Sequence, residues 1–163
     1  MQPDSFIVQK SKFGEGLFTV GEVSSGEVIM TLQGEITRKD LEPSDQPDEK
    51  FRIQTDVNKF IIPDHPFSLL NHSCEPNCGI NHAFELISLR TILKGEELTW
   101  DYSTAMFQRD WTMKCLCVTQ ACRKVITDFD KLPVDVQEKY IKLNIVAPFI
   151  ADYLMRLSKA ASS

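Results

Sequence analysis

Apolar and polar positions alternate over short distances through the first hundred residues, the pattern of strands with one buried face. "FIVQKSKFGEGLFTV" (residues 6–20) predicts two short strands around a glycine turn, and "GEVIMTLQGEIT" (26–37) predicts one further strand between glycines. "FRIQTDVNKFIIP" (51–63) alternates and predicts a hairpin that turns near residues 56–59. The pattern indicates a compact, mainly β arrangement of many short strands and excludes regular β-α alternation.

Two further stretches complete the β part. "RKDLEPSDQPDEK" (38–50) is polar with two prolines and predicts a surface loop. "AFELISLRTILKGEELTWDY" (83–102) predicts one strand, a turn at Gly95 and a short strand that runs into an aromatic end.

The last third of the chain changes to helical spacing. "DKLPVDVQEKYIKL" (130–143) and "APFIADYLMRLSKAA" (147–161) carry apolar residues at a 3.6-residue period, with a proline near each helix start, where proline is tolerated. One side of the second helix carries Phe149, Ile150, Tyr153, Leu154 and Leu157. We expect this stripe to pack on the domain, or alternatively to form a partner or homodimer surface.

Composition narrows the class of protein. The 163 residues are 42% hydrophobic and 25% charged, which is typical of one soluble globular domain. No apolar run approaches the roughly 18–20 residues that span a membrane, and the N-terminal stretch lacks the features of a secretory signal. The formal charge of −5 argues against direct nucleic-acid binding and is compatible with a basic partner. We expect an intracellular protein without membrane contact.

The five cysteines carry the clearest chemical signal. Cys115, Cys117 and Cys122 have C-x-C-x4-C spacing, and clustered thiols in an intracellular chain are more often metal ligands or catalytic groups than disulfides. A structural zinc site takes four tetrahedral ligands, so a fourth must come from elsewhere. Cys74 and Cys78 are the remaining thiols, and all-sulfur ligation favours zinc.

Four pieces in order resemble one known family. They are the glycine turn, "NHSCEPN" (71–77), "ELTWDY" (97–102) and C-x-C-x4-C. Together, over about residues 5–125, they are similar to the SET-domain family of protein-lysine methyltransferases with a zinc-binding post-SET segment. The resemblance implies a SET β-clip of short twisted sheets with a pseudoknot and a small C-terminal helical segment. We divide the chain into a SET domain (1–112), a post-SET segment (113–125) and a helical extension (126–163).

The same resemblance implies roles for individual residues. Tyr102 matches the family's essential tyrosine, and Trp100 and Phe51 would line the channel for the substrate lysine. Cys74 would be the fourth zinc ligand, which leaves Cys78 spare. The family also often places an aromatic that stacks on the cofactor soon after the third cysteine, whereas here the first is Phe129. S-adenosylmethionine would be held by Lys12, Phe13, Gly14, Glu15, Gly16, Leu17, Asn71 and His72.

The implied activity is methyl transfer from S-adenosylmethionine to a lysine of a histone or another basic protein. Because an indole offers no phenolic hydroxyl at position 100, we expect di- or trimethylation. The alternatives are a catalytically silent SET-like module that binds protein partners, and a small zinc-ribbon protein, which does not explain thiols split around a strand pair. Location would be cytoplasmic in a bacterium and could be nuclear in a eukaryote or for a virus.

Overall fold

The computed structural model describes residues 5–38, 51–109 and 111–161. The predicted loop at 38–50 lies outside the described residues apart from its first residue. Short strands make up most of the regular structure, and two helices follow them, which confirms the mainly β prediction. The described strands, in chain order, are β1 (Phe6–Ser11), β2 (Gly14–Thr19), β3 (Val28–Thr31), β4 (Gly34–Arg38), β5 (Ile53–Asp56), β6 (Lys59–Pro63), β7 (Asn71–His72), β8 (Cys78–Ile80), β9 (Glu85–Ser88), β10 (Thr99–Trp100), β11 (Thr112–Lys114) and β12 (Val125–Thr127).

The strands form small sheets of two or three members. β1 and β2 form an antiparallel hairpin as predicted, with Ser11 opposite Gly14. Gly14 has φ of 110°, a conformation that residues with a Cβ rarely adopt, so glycine belongs at this turn. β5 and β6 form the second predicted hairpin, and β4 extends that sheet on the other side of β6.

The single strand predicted over residues 26–37 is in fact two. β3 pairs with β9, and β4 pairs with β6 in a different sheet. The break falls just before Gly34, where a Cβ would come 2.0 Å from the Ile62 carbonyl oxygen. The close approach of these two backbones redirects the chain, and a hydrophobicity pattern does not reveal such a tertiary contact.

Both predicted helices are present. α1 spans Val134–Lys142 and α2 spans Pro148–Ala161. Tyr140 and Ile150 are buried in a second hydrophobic cluster with Phe129, Ile145 and neighbouring residues. Neither helix, nor any other in the described part of the chain, is long and apolar enough to cross a membrane.

The apolar stripe of α2 is only partly covered. Ile150 is fully buried, and Phe149 and Leu154 pack against the same cluster, as expected for packing on the domain. Tyr153 and Leu157 are 39% and 49% exposed, so the outer part of the stripe faces solvent. A homodimer through these helices stays a prediction, as does the division of the chain at residues 112 and 125.

Candidate active site and thiol cluster

The centre of the candidate site is a pair of very short parallel strands. β7 lies beside β10, with Asn71 opposite Thr99 and His72 opposite Trp100. The buried side chain of Asn77 fixes this pairing, because its amide nitrogen donates to the Glu97 carbonyl (2.8 Å) and its oxygen accepts from the Thr99 backbone N–H (2.9 Å). Two segments some 25 residues apart are thereby held together.

Asn71 also connects the glycine turn to the β7–β10 strand pair. Both protons of the Asn71 amide are used: Nδ2 donates to the Glu15 carbonyl oxygen (3.0 Å) and to Glu97 Oε1 (2.7 Å). A Cβ on Gly16 would lie 2.3 Å from that same Glu97 oxygen. A side chain at position 16 would therefore displace the Glu97 carboxylate from Asn71, and the buried Gly16 leaves room for that pair.

Tyr102 lies inside the protein next to these strands. Its hydroxyl donates to the Leu70 carbonyl oxygen (2.7 Å), and its ring centroid is 5.2 Å from that of His72. The rings of Phe51 and Trp100 each lie 5.0 Å from it. Burial, helped by the nearby Glu97 charge, raises the pKa of Tyr102, so the phenol stays protonated at neutral pH.

A cavity of about 90 Å³ opens beside Tyr102. Its lining residues are Phe13, Asn71, His72, Tyr102, Met113, Lys114, Leu116, Cys117 and Ile126. Five of these were predicted as site residues, counting Cys117 as a metal ligand, whereas Met113, Lys114, Leu116 and Ile126 were not, because isolated apolar or basic residues carry no motif. Phe129 is wholly buried in the second hydrophobic cluster, which is formed with the C-terminal helices. It is therefore not an aromatic that stacks on a ligand in this cavity.

The remaining predicted residues occupy different surroundings. Lys12 and Glu15 are exposed at and after the hairpin turn, and Leu17 is fully buried in the main core. The indole of Trp100 is 1% exposed, and its Nε1 proton has no hydrogen-bond partner within the described residues. Phe51 packs edge-on to this indole at 6.5 Å between centroids.

The thiols converge at one edge of the cavity. Cys115 Sγ lies 3.6 Å from Cys74 Sγ, 3.4 Å from Cys117 Sγ and 3.6 Å from Cys122 Sγ. Tetrahedral zinc with bonds of about 2.3 Å places its sulfur ligands about 3.8 Å apart, so these spacings fit the ion. The fully buried Cys78 lies on β8, outside the group of donors that come within 4.8 Å of one another. The geometry therefore favours Cys74 over Cys78 as the earlier thiol.

His72 competes with Cys122 as the fourth metal donor. Its ring belongs to the group of donors within 4.8 Å of one another, with Cys74, Cys115 and Cys117, whereas the predicted ligand Cys122 lies outside this group and has its Sγ 3.6 Å from that of Cys115. However, His72 Nδ1 accepts the Tyr102 backbone N–H (3.3 Å), and a neutral imidazole that accepts at Nδ1 carries its proton on Nε2. Burial lowers the His72 pKa to about 4 despite the Asp101 carboxylate, so the ring is neutral. In this tautomer Nε2 donates to Cys74 Sγ (3.4 Å), which favours Cys122 as the fourth ligand.

The thiols differ in acidity before any metal binds. Burial raises the pKa of Cys74 to about 11, although the Arg123 backbone N–H opposes this shift by donating to its sulfur (3.4 Å). Burial also acts on Cys117, but hydrogen bonds involving Thr119 and Cys74 outweigh it and lower the pKa to about 6. Cys117 is therefore the thiolate that would meet an incoming cation first.

Comparisons with protein families and with individual known proteins point to the same family. Residues 14–103, more than half of the chain, match the family described as SET domain. The chain is 31% identical over 137 residues to human histone-lysine N-methyltransferase 2B and 29% identical over 130 residues to histone-lysine N-methyltransferase trithorax of Drosophila virilis. These alignments cover 74% and 69% of this chain but only 5% and 3% of the two relatives.

A solved structure shares the architecture. The crystal structure of KRYPTONITE in complex with mCHH DNA, H3(1-15) peptide and SAH matches with a TM-score of 0.58 and 20% sequence identity. The match covers 74% of this chain and 29% of that chain. This likeness confirms the predicted β-clip fold with its C-terminal helical segment.

Proposed function

Because this chain belongs to the SET-domain family, we propose that it is a protein-lysine N-methyltransferase that uses S-adenosylmethionine. Its substrate would be a lysine in a basic protein or peptide, of which a histone tail is one example. The observation that carries the proposal is the position of Tyr102: a buried, protonated phenol that lines a cavity with Asn71 and His72 and contacts the rings of Phe51 and Trp100.

The cavity suits the cofactor in chemical character. Phe13, Leu116 and Ile126 offer apolar walls for the faces of an adenine ring, whereas the side chain of Asn71 offers a polar amide. The related KRYPTONITE structure contains SAH, the demethylated form of this cofactor. When bound, S-adenosylmethionine supplies an electrophilic methyl group on a sulfonium.

The protein's own task is to present an uncharged amine. A free lysine titrates near 10.4, so the neutral form costs roughly 4.6 kcal/mol at pH 7. Phe51, Trp100 and Tyr102 give an apolar aromatic surround, and desolvation there lowers the lysine pKa. The Tyr102 hydroxyl donates its proton to the Leu70 carbonyl oxygen. The lone pairs of the hydroxyl oxygen stay available to orient the reacting groups.

Cofactor binding gives the direct test of the proposed site. We expect S-adenosylmethionine titrated calorimetrically to bind the wild type, and Asn71→Ala to weaken binding by at least about tenfold, since the variant loses a side chain that lines the cavity together with the two hydrogen bonds, worth about 1 kcal/mol each, that hold the glycine turn and Glu97 beside it. Asn58→Ala, in the exposed β5–β6 turn, is the matched control and should bind like the wild type. A folded wild type that binds no cofactor would instead favour the catalytically silent alternative.

Trp100 is proposed to set the number of methyl groups added. Its indole N–H can donate but cannot accept, so it cannot hold a partly methylated amine or a water as a phenol oxygen can. We expect mass spectrometry to show di- or trimethyl-lysine from the wild type, and Trp100→Tyr to shift the product toward monomethyl-lysine. Exclusive monomethylation by the wild type, even with enzyme in excess over peptide, would refute this role.

An intracellular setting is proposed as well. None of the five cysteines forms a disulfide, which is the usual state in a reducing compartment.

A further inference from the structure

One buried carboxylate next to the proposed catalytic tyrosine has no part in the chemistry above. Asp101 is 1% exposed and directly precedes Tyr102. Its Oδ1 accepts from the Ser103 backbone N–H (3.1 Å) and from Arg123 Nη2 (2.8 Å), and its Oδ2 accepts from the Tyr140 hydroxyl (3.0 Å). A buried charge held by several partners is stable only while those partners remain in place.

Asp101 and two of its partners come from three separate parts of the chain. Asp101 belongs to the "ELTWDY" stretch, Arg123 directly follows the last cysteine of the thiol cluster, and Tyr140 lies on helix α1. Tyr140 is 1% exposed, and burial together with the Asp101 charge raises its pKa, so its hydroxyl stays a donor. Helix α1 thus reaches the interior of the site with a polar group as well as with apolar packing.

The carboxylate organises the turn that carries Tyr102. Residues Tyr102–Ala105 form a 3₁₀ turn that Asp101 caps, since its side chain accepts from Ser103 N and its carbonyl accepts from Thr104 N (3.0 Å). The Tyr102 N–H in turn donates to His72 Nδ1 (3.3 Å). A shift of the carboxylate would therefore move the backbone that aims the Tyr102 ring.

We infer that Tyr140 is a positioning residue for Tyr102, acting through the carboxylate of Asp101. The inference rests on the proposed methyltransferase function for its kinetic consequence, but the physical coupling can be measured without activity. The same network reaches the thiols, because Arg123 binds Asp101 through its side chain while its backbone N–H donates to Cys74 Sγ. Helix α1 and the segment that follows the thiol cluster consequently act on one carboxylate.

Tyr140→Phe tests the kinetic part, since it removes one oxygen and keeps the ring. We expect kcat to fall by roughly tenfold while KM for S-adenosylmethionine stays within about twofold, the signature of an interaction that matters in the transition state. Tyr153→Phe on the exposed side of α2 is the matched control and should leave both constants unchanged. A lowered melting temperature with unchanged kcat would show a merely structural role and overturn the inference.

Amide hydrogen exchange tests the coupling independently of catalysis. In Tyr140→Phe the Ser103 amide should exchange about tenfold faster than in the wild type, because local opening of the turn becomes easier, while the Ile61 amide in β6 should be unaffected. If the wild type proves inactive, accelerated Ser103 exchange still supports the coupling, and only the methyltransferase proposal fails. Unchanged exchange overturns the inference.

A measurement on the wild type covers the case in which the variant does not fold. The Tyr140 hydroxyl proton, donated to a buried carboxylate, should appear in proton NMR spectra as a slowly exchanging resonance. A hydroxyl proton in fast exchange with solvent would overturn the inference.

Discussion

Tyr102→Phe is expected to reduce methyl transfer by at least about 100-fold while cofactor affinity changes little, the scale seen when one preorganised polar group is removed from a reacting centre. The ring would still pack against Phe51 and Trp100, but the hydroxyl oxygen would be lost. The measurement is kcat with a lysine peptide beside calorimetric titration of S-adenosylmethionine.

Folding must be controlled in that comparison. The hydroxyl also bonds the Leu70 carbonyl, so its removal costs about 1 kcal/mol of stability, and thermal unfolding of the variant should be recorded. Tyr153→Phe again supplies a tyrosine change away from the site. A folded Tyr102→Phe protein with a kcat close to the wild-type value would refute the assigned role.

The second large effect is expected in the zinc content of the purified protein when Cys74 is replaced. Elemental analysis of purified protein should find about one zinc ion per chain in the wild type and almost none in Cys74→Ser, because a three-ligand remnant does not close a structural site. Cys78→Ser is the matched control: this thiol is also buried but lies outside the donor group, so zinc should be retained. Zinc loss in Cys78→Ser with retention in Cys74→Ser would reverse the assignment.

The same elemental analysis distinguishes Cys122 from His72 as the fourth zinc ligand. His72 Nε2 is a donor to Cys74 in the observed hydrogen bonding, whereas Cys122 Sγ lies 3.6 Å from Cys115 Sγ. Cys122→Ser should therefore lose zinc, and His72→Ala should retain it with weaker cofactor binding. The opposite pair of results would point to a site of three cysteines and one histidine.

Much of the site follows from local sequence. The hairpin around Gly14 and the helices after residue 133 each rest on a short-range signal, a glycine turn or helical periodicity. Thiol spacing predicted a metal site that either Cys74 or Cys78 would complete, and the resemblance selected Cys74. The resemblance added the meeting of Asn71 with Tyr102, which no periodicity would predict because the parallel β7–β10 pair is only two residues long.

What the sequence did not reveal depends on long-range packing. The split of residues 26–37 follows from the contact of Gly34 with Ile62, and Phe129 is drawn into a core that forms only when both helices dock. The bond from Tyr140 to Asp101 joins residues 39 apart. The contact between Asp101 and Arg123 could have been predicted from their sequence neighbours. Asp101 adjoins the proposed catalytic tyrosine and Arg123 adjoins a cysteine, and the resemblance brings those two segments together.

The most direct measurement is transfer of a labelled methyl group from S-adenosylmethionine to an array of lysine-containing basic peptides. We predict that label appears on lysine, and that arginine in its place abolishes the signal. Folded, zinc-loaded protein that binds the cofactor yet labels no lysine on peptide or intact basic protein would contradict the account.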